Sequence, residues 1–505
     1  MWPCSAALVL TLSVPEQDRG SGGGATSPPT GERAPSALRT LWKVPLASTS
    51  FGGGAVADVN GDGIVDVAFC TYFGDSKVRV LSGKDGKEIW TFDAATRPGA
   101  GDACLDASCR FVDLDGDGGL ELVVPISNSS QVLAFDAATG ARRWTYQAGA
   151  GECIDTPPWI GTIDGALRVV VGTFKGRLHV IDGRTGAAAR TVQVVGSGAV
   201  QSCPVVMDLN GDGHEDLVAT SFKGDGQLVA ADGAVRGDAK EGDATAPRSG
   251  PAELARSLWR MQTDSTMLYH GPSVGDLDGD GAADLVIGAY DGKVYAVKKD
   301  GTKLWTTGKI EQYIMGPTAI ADLDGDGTSE VIVAGDKVTV LRGRDGSVVW
   351  SAPVDTARSG AAPVWSVTRG VSVADMDGDG SPDLCALNGR GMFKVMRGRD
   401  GVVLYEFDAG SLCQRAVTMN SHLPLVADFD GDGRVDVFFV VGQGNGQKPS
   451  ESEGVAVCLT GFGGAAKNKD GSLNGWFMHR HDQQNTGNVV TPLPELLRKR
   501  IAVGR

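Results

Sequence analysis

Seven nine-residue segments of this chain place acidic side chains at alternating positions. Each has Asp at positions 1 and 5, Asp or Asn at position 3, Gly at position 6 and Asp or Glu at position 9. They begin at Asp58, Asp113, Asp208, Asp276, Asp322, Asp375 and Asp428. Carboxylates this close together repel one another unless a cation lies among them. Several hard oxygen ligands in a flexible loop favour Ca²⁺ over transition metals and over Mg²⁺. The sequence therefore predicts about seven Ca²⁺ sites, whose charge would cancel nearly all of the net charge of −15.

The predicted ligands are positions 1, 3, 5, 7 and 9 of each loop. Position 7 varies in residue type, as expected if its backbone carbonyl is the ligand, and glycine at position 6 permits the sharp turn. An EF-hand needs a glutamate at position 12, whereas position 12 here is apolar in all seven copies. The predicted ligand residues are Asp58, Asn60, Asp62, Ile64, Asp66, Asp113, Asp115, Asp117, Gly119, Glu121, Asp208, Asn210, Asp212, His214, Asp216, Asp276, Asp278, Asp280, Ala282, Asp284, Asp322, Asp324, Asp326, Thr328, Glu330, Asp375, Asp377, Asp379, Ser381, Asp383, Asp428, Asp430, Asp432, Arg434 and Asp436.

A second motif alternates with the acidic loops: a turn followed by a strand that begins with an aromatic residue, as in "GKDGKEIW" ending at Trp90. The strand occurs eight times, with its marker residue at Trp42, Trp90, Trp144, Arg190, Trp259, Trp305, Trp350 and Tyr405. Seven of the eight intervals contain an acidic loop. The interval after Trp144 aligns Ile160, Thr162, Asp164 and Arg168 with the ligand positions, so it keeps one carboxylate of four and is expected to bind no ion.

The repeats predict an all-β fold in which each unit contributes four short strands. Four-stranded antiparallel units repeated at this period, without helices, are typical of a β-propeller. We expect a single propeller of eight blades, with seven as the alternative, and calcium loops between the first and second strands. The spare strand Leu41–Val44 would complete the last blade and close the ring. The predicted boundaries are a signal or leader at 1–15, a Gly/Ser/Pro linker at 16–39, the propeller at 40–490 and a tail at 491–505.

Composition restricts the partners and the compartment. The negative charge argues against nucleic acid, no apolar run is long enough to span a membrane, and a propeller of this size is expected to be monomeric. Excluding Cys4, the chain has eight cysteines, an even number that fits an oxidising compartment. We consider disulfides Cys104–Cys109 or Cys153–Cys203. Together with the short apolar N-terminus, these features predict a secreted, periplasmic or cell-surface protein.

The motif "ADVNGDGIVDVAF" at 57–69 resembles the FG-GAP/VCBS repeat family, the calcium-loop propellers that include the integrin α-subunit head. The resemblance covers roughly residues 40–490. The aromatic-led strands also resemble the repeats of pyrroloquinoline-quinone-type propellers, in which eight blades are usual. The FG-GAP/VCBS resemblance implies an exported protein with calcium ligands at the loop positions given above. It also implies adhesion, carbohydrate binding, protein binding or a scaffold role.

The links that enter each blade would lie on the face opposite the calcium loops, where propellers tend to bind ligands. Aromatic, amide and imidazole groups there suit a sugar ring or a peptide, although they could equally plug the channel. The candidates are Trp159, Tyr269, His270, Gln312, Tyr313, Trp365, Arg369, Asn420 and His422. The sequence shows no signature of a catalytic nucleophile, so we predict no catalytic residues. A polysaccharide lyase-like or quinoprotein-like enzyme is the alternative to a binding or scaffold module.

Overall fold

The computed structural model describes residues 37–233, 255–355, 367–417, 422–445, 448–467 and 472–475. The predicted leader, most of the linker, the tail and the candidates Trp365 and Asn420 lie outside these ranges. In the described part of the chain no helix is long and apolar enough to cross a membrane.

The strands of the described chain form eight separate four-stranded antiparallel sheets, which confirms the eight-blade prediction. In seven blades the strands follow chain order from the first, inner strand outward. Inner strands of neighbouring blades contact one another, as β2 does with β6 and with β30, so the blades form a ring. Two short 3₁₀ segments, Ala409–Leu412 and Pro449–Glu451, lie between strands of the last two blades.

The strand bounds of the first four blades are as follows. Blade 1 contains β2 (Ala55–Ala57), β3 (Asp66–Cys70), β4 (Lys77–Leu81) and β5 (Glu88–Asp93). Blade 2 contains β6 (Arg110–Val112), β7 (Glu121–Ile126), β8 (Gln131–Asp136) and β9 (Arg142–Gln147). Blade 3 contains β10 (Trp159–Ile163), β11 (Ala166–Gly172), β12 (Arg177–Asp182) and β13 (Ala188–Gln193). Blade 4 contains β14 (Val205–Met207), β15 (Asp216–Thr220), β16 (Gln227–Ala231) and β17 (Ser257–Gln262).

The other four blades include the one that closes the ring. Blade 5 contains β18 (Ser273–Gly275), β19 (Asp284–Gly288), β20 (Val294–Lys298) and β21 (Lys303–Thr306). Blade 6 contains β22 (Ala319–Ala321), β23 (Glu330–Ala334), β24 (Lys337–Arg342) and β25 (Val348–Pro353). Blade 7 contains β26 (Ser372–Ala374), β27 (Asp383–Leu387), β28 (Met392–Arg397) and β29 (Val403–Asp408). Blade 8 contains β30 (Leu425–Ala427), β31 (Asp436–Gln443), β32 (Glu453–Thr460) and, as its outer strand, β1 (Arg39–Leu46).

The N-terminal strand closes the ring as the sequence predicts. Strand β1 pairs with β32 from Arg39 opposite Thr460 to Leu46 opposite Gly454. The last blade is therefore built from both ends of the propeller. This closure leaves each sheet flanked by two neighbours and covers faces that an open array would expose.

The second strand is an unbroken buried run in six of the eight blades, because both faces of its sheet are covered by neighbouring blades. Strands β3, β7, β15, β19, β23 and β27 are buried at every residue. This burial explains why the apolar run begins directly after the acidic loop. The last acidic residue of the loop is the first residue of the strand, so its carboxylate is buried with it.

An outer-strand tryptophan connects each of six blades to the next. The indole Nε1 donates a hydrogen bond of 2.5–2.9 Å to a backbone carbonyl in the turn between the third and fourth strands of the next blade. The donor and acceptor pairs are Trp42–Gly83, Trp90–Ala137, Trp144–Gly183, Trp259–Lys299, Trp305–Gly343 and Trp350–Gly398. The constant spacing between the turn and the aromatic residue in successive repeats therefore reflects a contact between successive blades.

The same turns require glycine where the indole packs. A Cβ added at the turn glycine would lie 2.5–2.7 Å from an indole atom of the preceding blade, and each of these glycines has a positive φ. The glycines are Gly86, Gly140, Gly186, Gly301, Gly346 and Gly401. A side chain at these positions would be strained and would also displace the tryptophan.

The two blades without an outer tryptophan use other groups for the same contact. Arg190 of blade 3 donates from its guanidinium to the Gly233 carbonyl of blade 4 at 2.9 Å. The Tyr405 hydroxyl of blade 7 accepts a hydrogen bond from the Gly463 amide at 3.2 Å. Each blade is thus connected to the next by its outer strand.

Blade 3 replaces the acidic loop with a two-residue hairpin. Ile163 pairs with Ala166, and the intervening Asp164 and Gly165 have φ values of 50° and 75°. Two consecutive positive φ angles are the geometry of a type I′ turn, which matches the twist of the flanking strands. A turn this short has no room for the nine-residue loop, so the structure explains why this blade lacks the ligand positions.

The proposed disulfides are wrong. Cys104, Cys109 and Cys203 are free thiols, which excludes both Cys104–Cys109 and Cys153–Cys203. The Cys203 Sγ instead lies 3.0 Å from the Pro157 carbonyl as a buried donor. Cys109 faces Cys70 across the interface of blades 1 and 2. Cys153 is disulfide-bonded, but not to Cys203.

The tryptophan contact predicts a specific stability loss. Replacing Trp305, which is 7% exposed, with alanine removes its buried indole and the hydrogen bond to Gly343. We expect a loss of about 3–5 kcal/mol. Denaturant unfolding at fixed calcium concentration would measure it. The control Val349→Ala removes a 38% exposed side chain and should change stability by less than about 0.5 kcal/mol. Equal midpoints for the two variants would contradict this role for Trp305.

Candidate metal loops and axial cluster

The seven acidic loops share one hydrogen-bond frame, which begins with the position 1 carboxylate. In blade 5, Asp276 Oδ1 accepts a hydrogen bond from the Gly279 amide at 2.8 Å, and Oδ2 accepts one from the Gly281 amide at 2.9 Å. The bond from the position 4 amide recurs in all seven loops. Positions 4 and 6 are both glycine with positive φ, 80° and 81° in this loop. Glycine stands at position 4 in all seven loops, and the motif given above includes only the glycine at position 6.

The acidic residue at position 9 anchors the loop to the strand that follows it. One of its oxygens accepts the backbone N–H of position 2 at 2.9–3.0 Å in all seven loops. In blade 5 this bond joins Leu277 to Asp284 Oδ2. The other oxygen, Asp284 Oδ1, is buried and has no hydrogen-bond partner in the described chain, and Asp383 Oδ1 is in the same position. Each of these two loops therefore presents a buried oxygen that no protein donor compensates.

The carboxylates of several loops converge closely enough to hold one ion. Ligand atoms from positions 1, 3 and 9 lie within 4.8 Å of one another in the loops that begin at Asp113, Asp276, Asp322 and Asp375. Burial raises the pKa of Asp383 to about 8, with a further contribution from the other acidic groups of its loop. A cation among them would remove this penalty. The residues at positions 1, 3 and 9 thus fit a divalent cation with oxygen ligands.

Basic side chains partly balance two loops. Lys298 Nζ, from the third strand of blade 5, lies 2.6 Å from Asp278 Oδ2 and 2.7 Å from Asp280 Oδ2. Arg399 lies 3.4 Å from Asp379 in blade 7. A single ammonium that contacts two loop carboxylates shows that their outer oxygens converge on a point where positive charge is stabilised.

The structure separates the predicted ligand-face residues into three environments. Trp159 is 3% exposed and packs in the core between blades 3 and 4, so it is not available to a ligand. His270 and His422 are also buried, at 4% and 1% exposure. Gln312 is exposed and lines a shallow groove of about 430 Å³ with Lys309, Ile310, Glu311, Asp336 and Lys337.

Two of the predicted residues, Tyr313 and Arg369, make ring contacts. The half-buried Tyr313 stacks on Tyr290 with ring centroids 5.7 Å apart. The Arg369 guanidinium lies 5.8 Å from the ring centre of Tyr269, which is a cation–π distance. Tyr269 belongs to the link that enters blade 5 and Arg369 to the link that enters blade 7. Links of blades that are not adjacent meet only near the axis of the ring, so this contact places both residues at the channel mouth.

A group of polar residues around this contact forms an axial cluster. Asp106, in the link that enters blade 2, faces Asp155, in the link that enters blade 3, and both interact electrostatically with Tyr269. Gln201 Nε2 lies 3.4 Å from Asp155 Oδ2 and 3.5 Å from the Tyr269 hydroxyl. The axial cluster comprises Tyr72, Cys104, Asp106, Asp155, Gln201, Tyr269 and Arg369.

Sequence reasoning found only part of this cluster. The predicted residue Trp159 stands in the segment "CIDTPPWI", but the residue of this segment that lies in the axial cluster is Asp155. Asp106 stands in "CLDASC", outside any acidic repeat. An isolated Asp in a link without the glycine pattern is the signal that could have found both residues. Their pairing depends on the ring geometry and cannot be read along the chain.

Fold and loops together define the class of protein: an eight-bladed β-propeller with acidic nine-residue loops. Residues 276–333, 322–386 and 375–439 match the FG-GAP-like repeat family. Residues 35–251 match a family described as outer membrane protein assembly factor BamB. The chain therefore carries FG-GAP-like repeats in its second half and PQQ-type propeller repeats in its first, as the sequence resemblance predicts. No curated protein matches the sequence.

Solved structures with the same fold differ widely in role. The V. cholerae biofilm matrix protein Bap1 is 16% identical with a TM-score of 0.57, over 88% of this chain and 94% of that chain. A quinohemoprotein alcohol dehydrogenase from Comamonas testosteroni is 13% identical with a TM-score of 0.54, over 86% and 78%. A europium-containing methanol dehydrogenase is 12% identical with a TM-score of 0.53, over 84% and 93%. Identities this low establish the fold alone.

The loop geometry predicts how one substitution changes cation binding. Asp383→Asn keeps the side-chain shape but removes the charge at position 9 of the blade 7 loop, so the protein should bind one divalent cation fewer. Calorimetric titration with CaCl₂ would count the sites. Asp345→Asn, in the turn between the third and fourth strands of blade 6, where Asp345 Oδ1 accepts a hydrogen bond from the Ser347 amide, is the matched control and should leave the count unchanged. The same count in Asp383→Asn as in the unmodified protein would contradict a ligand role for Asp383.

Proposed function

We propose that this chain is a calcium-stabilised β-propeller outside the cytoplasm that acts as a binding or scaffold module for carbohydrate or protein. The observation that carries the proposal is the repeated loop frame. Four hydrogen bonds from backbone amides to side-chain oxygens recur in all seven loops, exemplified in blade 5 by those to Asp276, Asp278, Asp280 and Asp284. A frame this constant, in turns that otherwise vary in sequence, is what selection for one ion would produce.

Calcium is the cation that this ligand chemistry favours. The ligands are carboxylate and amide oxygens with one backbone carbonyl, and soft ligands are absent from the five predicted positions of each loop. The predicted site residues are the 35 loop positions given above. Because each loop joins the first and second strands, an ion there would hold the inner strand against the core of its blade.

The groove beside Tyr313 is the second element of the proposal. Gln312, Glu311 and two lysines line an open groove of about 430 Å³. Tyr313, which follows Gln312 in the chain, stacks on Tyr290 in the turn between β19 and β20. Hydrogen-bonding groups next to an aromatic surface suit a sugar ring or an extended peptide. The groove is shallow, which fits a chain-like ligand better than a small molecule.

A location outside the cytoplasm is supported by two comparisons. The N-terminal half matches a family described as an outer membrane protein assembly factor, and the fold is shared with a biofilm matrix protein. Extracellular and periplasmic fluids also supply calcium at concentrations that weak loops can bind.

Removal of calcium tests the stabilising role. Ligand binding stabilises a fold by about 2.7 kcal/mol per site at a concentration one hundred times Kd. EDTA should therefore lower the melting temperature by at least about 10 °C in scanning calorimetry. Adding back excess Ca²⁺ should restore the original value, and adding Mg²⁺ should not. An unchanged melt in EDTA would contradict calcium stabilisation.

Ligand screening tests the binding role. Glycan arrays and pectin-type polysaccharides should reveal retained ligands, and Tyr313→Ala should reduce their affinity at least about tenfold by removing a stacking surface. Tyr313→Phe keeps the ring and should retain binding, which separates the loss of the ring from the loss of the hydroxyl. Release of unsaturated sugars would instead identify a lyase. Equal affinity of Tyr313→Ala and the unmodified protein would exclude the groove as the ligand site.

A further inference from the structure

A thiol and two carboxylates meet in the axial cluster, on the face opposite the calcium loops. Cys104 and Asp106 come from the link that enters blade 2, and Asp155 comes from the link that enters blade 3. Ligand atoms of these three residues lie within 4.8 Å of one another. Because this group contains sulfur and lies outside every acidic repeat, the calcium prediction does not account for it.

Each of the two carboxylates has a buried oxygen atom without a hydrogen-bond donor in the described chain. These atoms are Asp106 Oδ1 and Asp155 Oδ1. Ligand oxygens of Asp106 and Asp155 lie within 4.8 Å of each other, so the two carboxylates repel one another when both are charged. Two carboxyl groups placed face to face must share a proton or hold a cation.

An independent observation comes from Gln201. Its side chain is 8% exposed and reaches the cluster, where Nε2 lies 3.4 Å from Asp155 Oδ2. Its Oε1 is buried and has no hydrogen-bond partner among the described residues. Leaving an amide oxygen without a donor in a buried site is energetically unfavourable. A cation beside Asp155 would give this oxygen a partner after rotation of the amide.

The backbone around Cys104 is held firmly in place. Its amide donates to Asn128 Oδ1 at 3.0 Å, and its carbonyl accepts from the Ser127 amide at 3.0 Å. The preceding residue, Ala103, exchanges hydrogen bonds with the Ser76 hydroxyl at 2.8 and 3.0 Å. Hydrogen bonds of this kind fix the position of a ligand before it binds a metal.

We propose that Cys104, Asp106 and Asp155 bind a divalent cation of the Zn²⁺ class, with Gln201 Oε1 or water as the fourth ligand. One thiolate with oxygen ligands in a four-coordinate arrangement is a zinc-type set, and the thiolate disfavours Ca²⁺. The Arg369 guanidinium, which interacts with Asp155, would balance the negative charge that a divalent ion leaves on three anionic ligands. The half-buried carboxylates give the ion a path from the channel mouth.

Cobalt is a direct probe because its thiolate complexes absorb light. The full-length protein would be titrated with Co²⁺ in excess CaCl₂, so that the acidic loops are saturated with calcium. We expect one equivalent of bound Co²⁺, a near-ultraviolet thiolate-to-cobalt charge-transfer band and the strong visible bands of a tetrahedral ion. Zn²⁺ should displace the cobalt and abolish these bands.

Variants assign the ligands. Cys104→Ser should abolish the charge-transfer band, whereas Cys413→Ser, at a half-buried thiol that is not in the cluster, should retain it. Asp155→Asn should weaken Co²⁺ binding by at least about tenfold. Near-ultraviolet circular dichroism in CaCl₂ would establish that each variant is folded. If Cys104→Ser does not fold, Asp155→Asn and Gln201→Ala provide the affinity test.

The proposal fails if the unmodified protein shows no charge-transfer band, if Cys104→Ser retains the band, or if folded Asp155→Asn binds Co²⁺ as tightly as the unmodified protein. The calcium-dependent melt is measured separately and depends on the opposite face. Loss of the cobalt signal with an intact calcium effect would overturn this inference alone, and the reverse result would overturn only the calcium proposal.

Discussion

The contact between an outer-strand tryptophan and the glycine turn of the next blade is the constraint on which this ring depends. A four-stranded blade cannot bury both faces of its sheet alone, so its stability comes from its neighbours. The tryptophan fills that interface with a large apolar surface and satisfies a turn carbonyl with its indole N–H. The glycine is required because an added Cβ would clash with the indole ring, as at Gly346 beside Trp305. Blade 8 uses Trp42 from the N-terminal strand for the same contact with blade 1, so the repeated interaction also closes the ring.

Substitutions at this contact show which of its features matters. Arg190 and Tyr405 differ from tryptophan in size and charge, yet each forms a hydrogen bond with backbone of the next blade. The hydrogen bond is therefore kept in every blade while the indole packing is not. Blade 3, which carries Arg190, is also the blade without an acidic loop. Its hairpin contacts blade 4 instead, since the Asp164 carboxylate lies 2.9 Å from the His214 imidazole.

The two faces of the ring hold their charged side chains in different environments. On one face, backbone amides of the acidic loops neutralise part of each carboxylate, and buried oxygens such as Asp284 Oδ1 and Asp383 Oδ1 remain without a donor. On the other face, links from distant blades bring Asp155, Tyr269 and Arg369 together at the axis. Strand pairing places no restriction on those links, so the same scaffold can present a different chemistry there.

The sequence by itself determined the blade number, the ring closure and the loop positions, because each depends on interactions that recur at a fixed spacing. Asp276 to Asp284 is a local pattern, and the hydrogen bonds from its backbone amides to its carboxylates span no more than seven residues. The sequences of the links that enter the blades do not repeat, so the sequence identified candidate residues there but did not give their positions in the fold. Trp159 was expected on the ligand face and lies in the core, while Asp106 and Asp155, which are 49 residues apart in the chain, were not paired. Only the tertiary structure decided these positions, since contacts across the axis depend on the closure of the whole ring and leave no periodic trace in the chain.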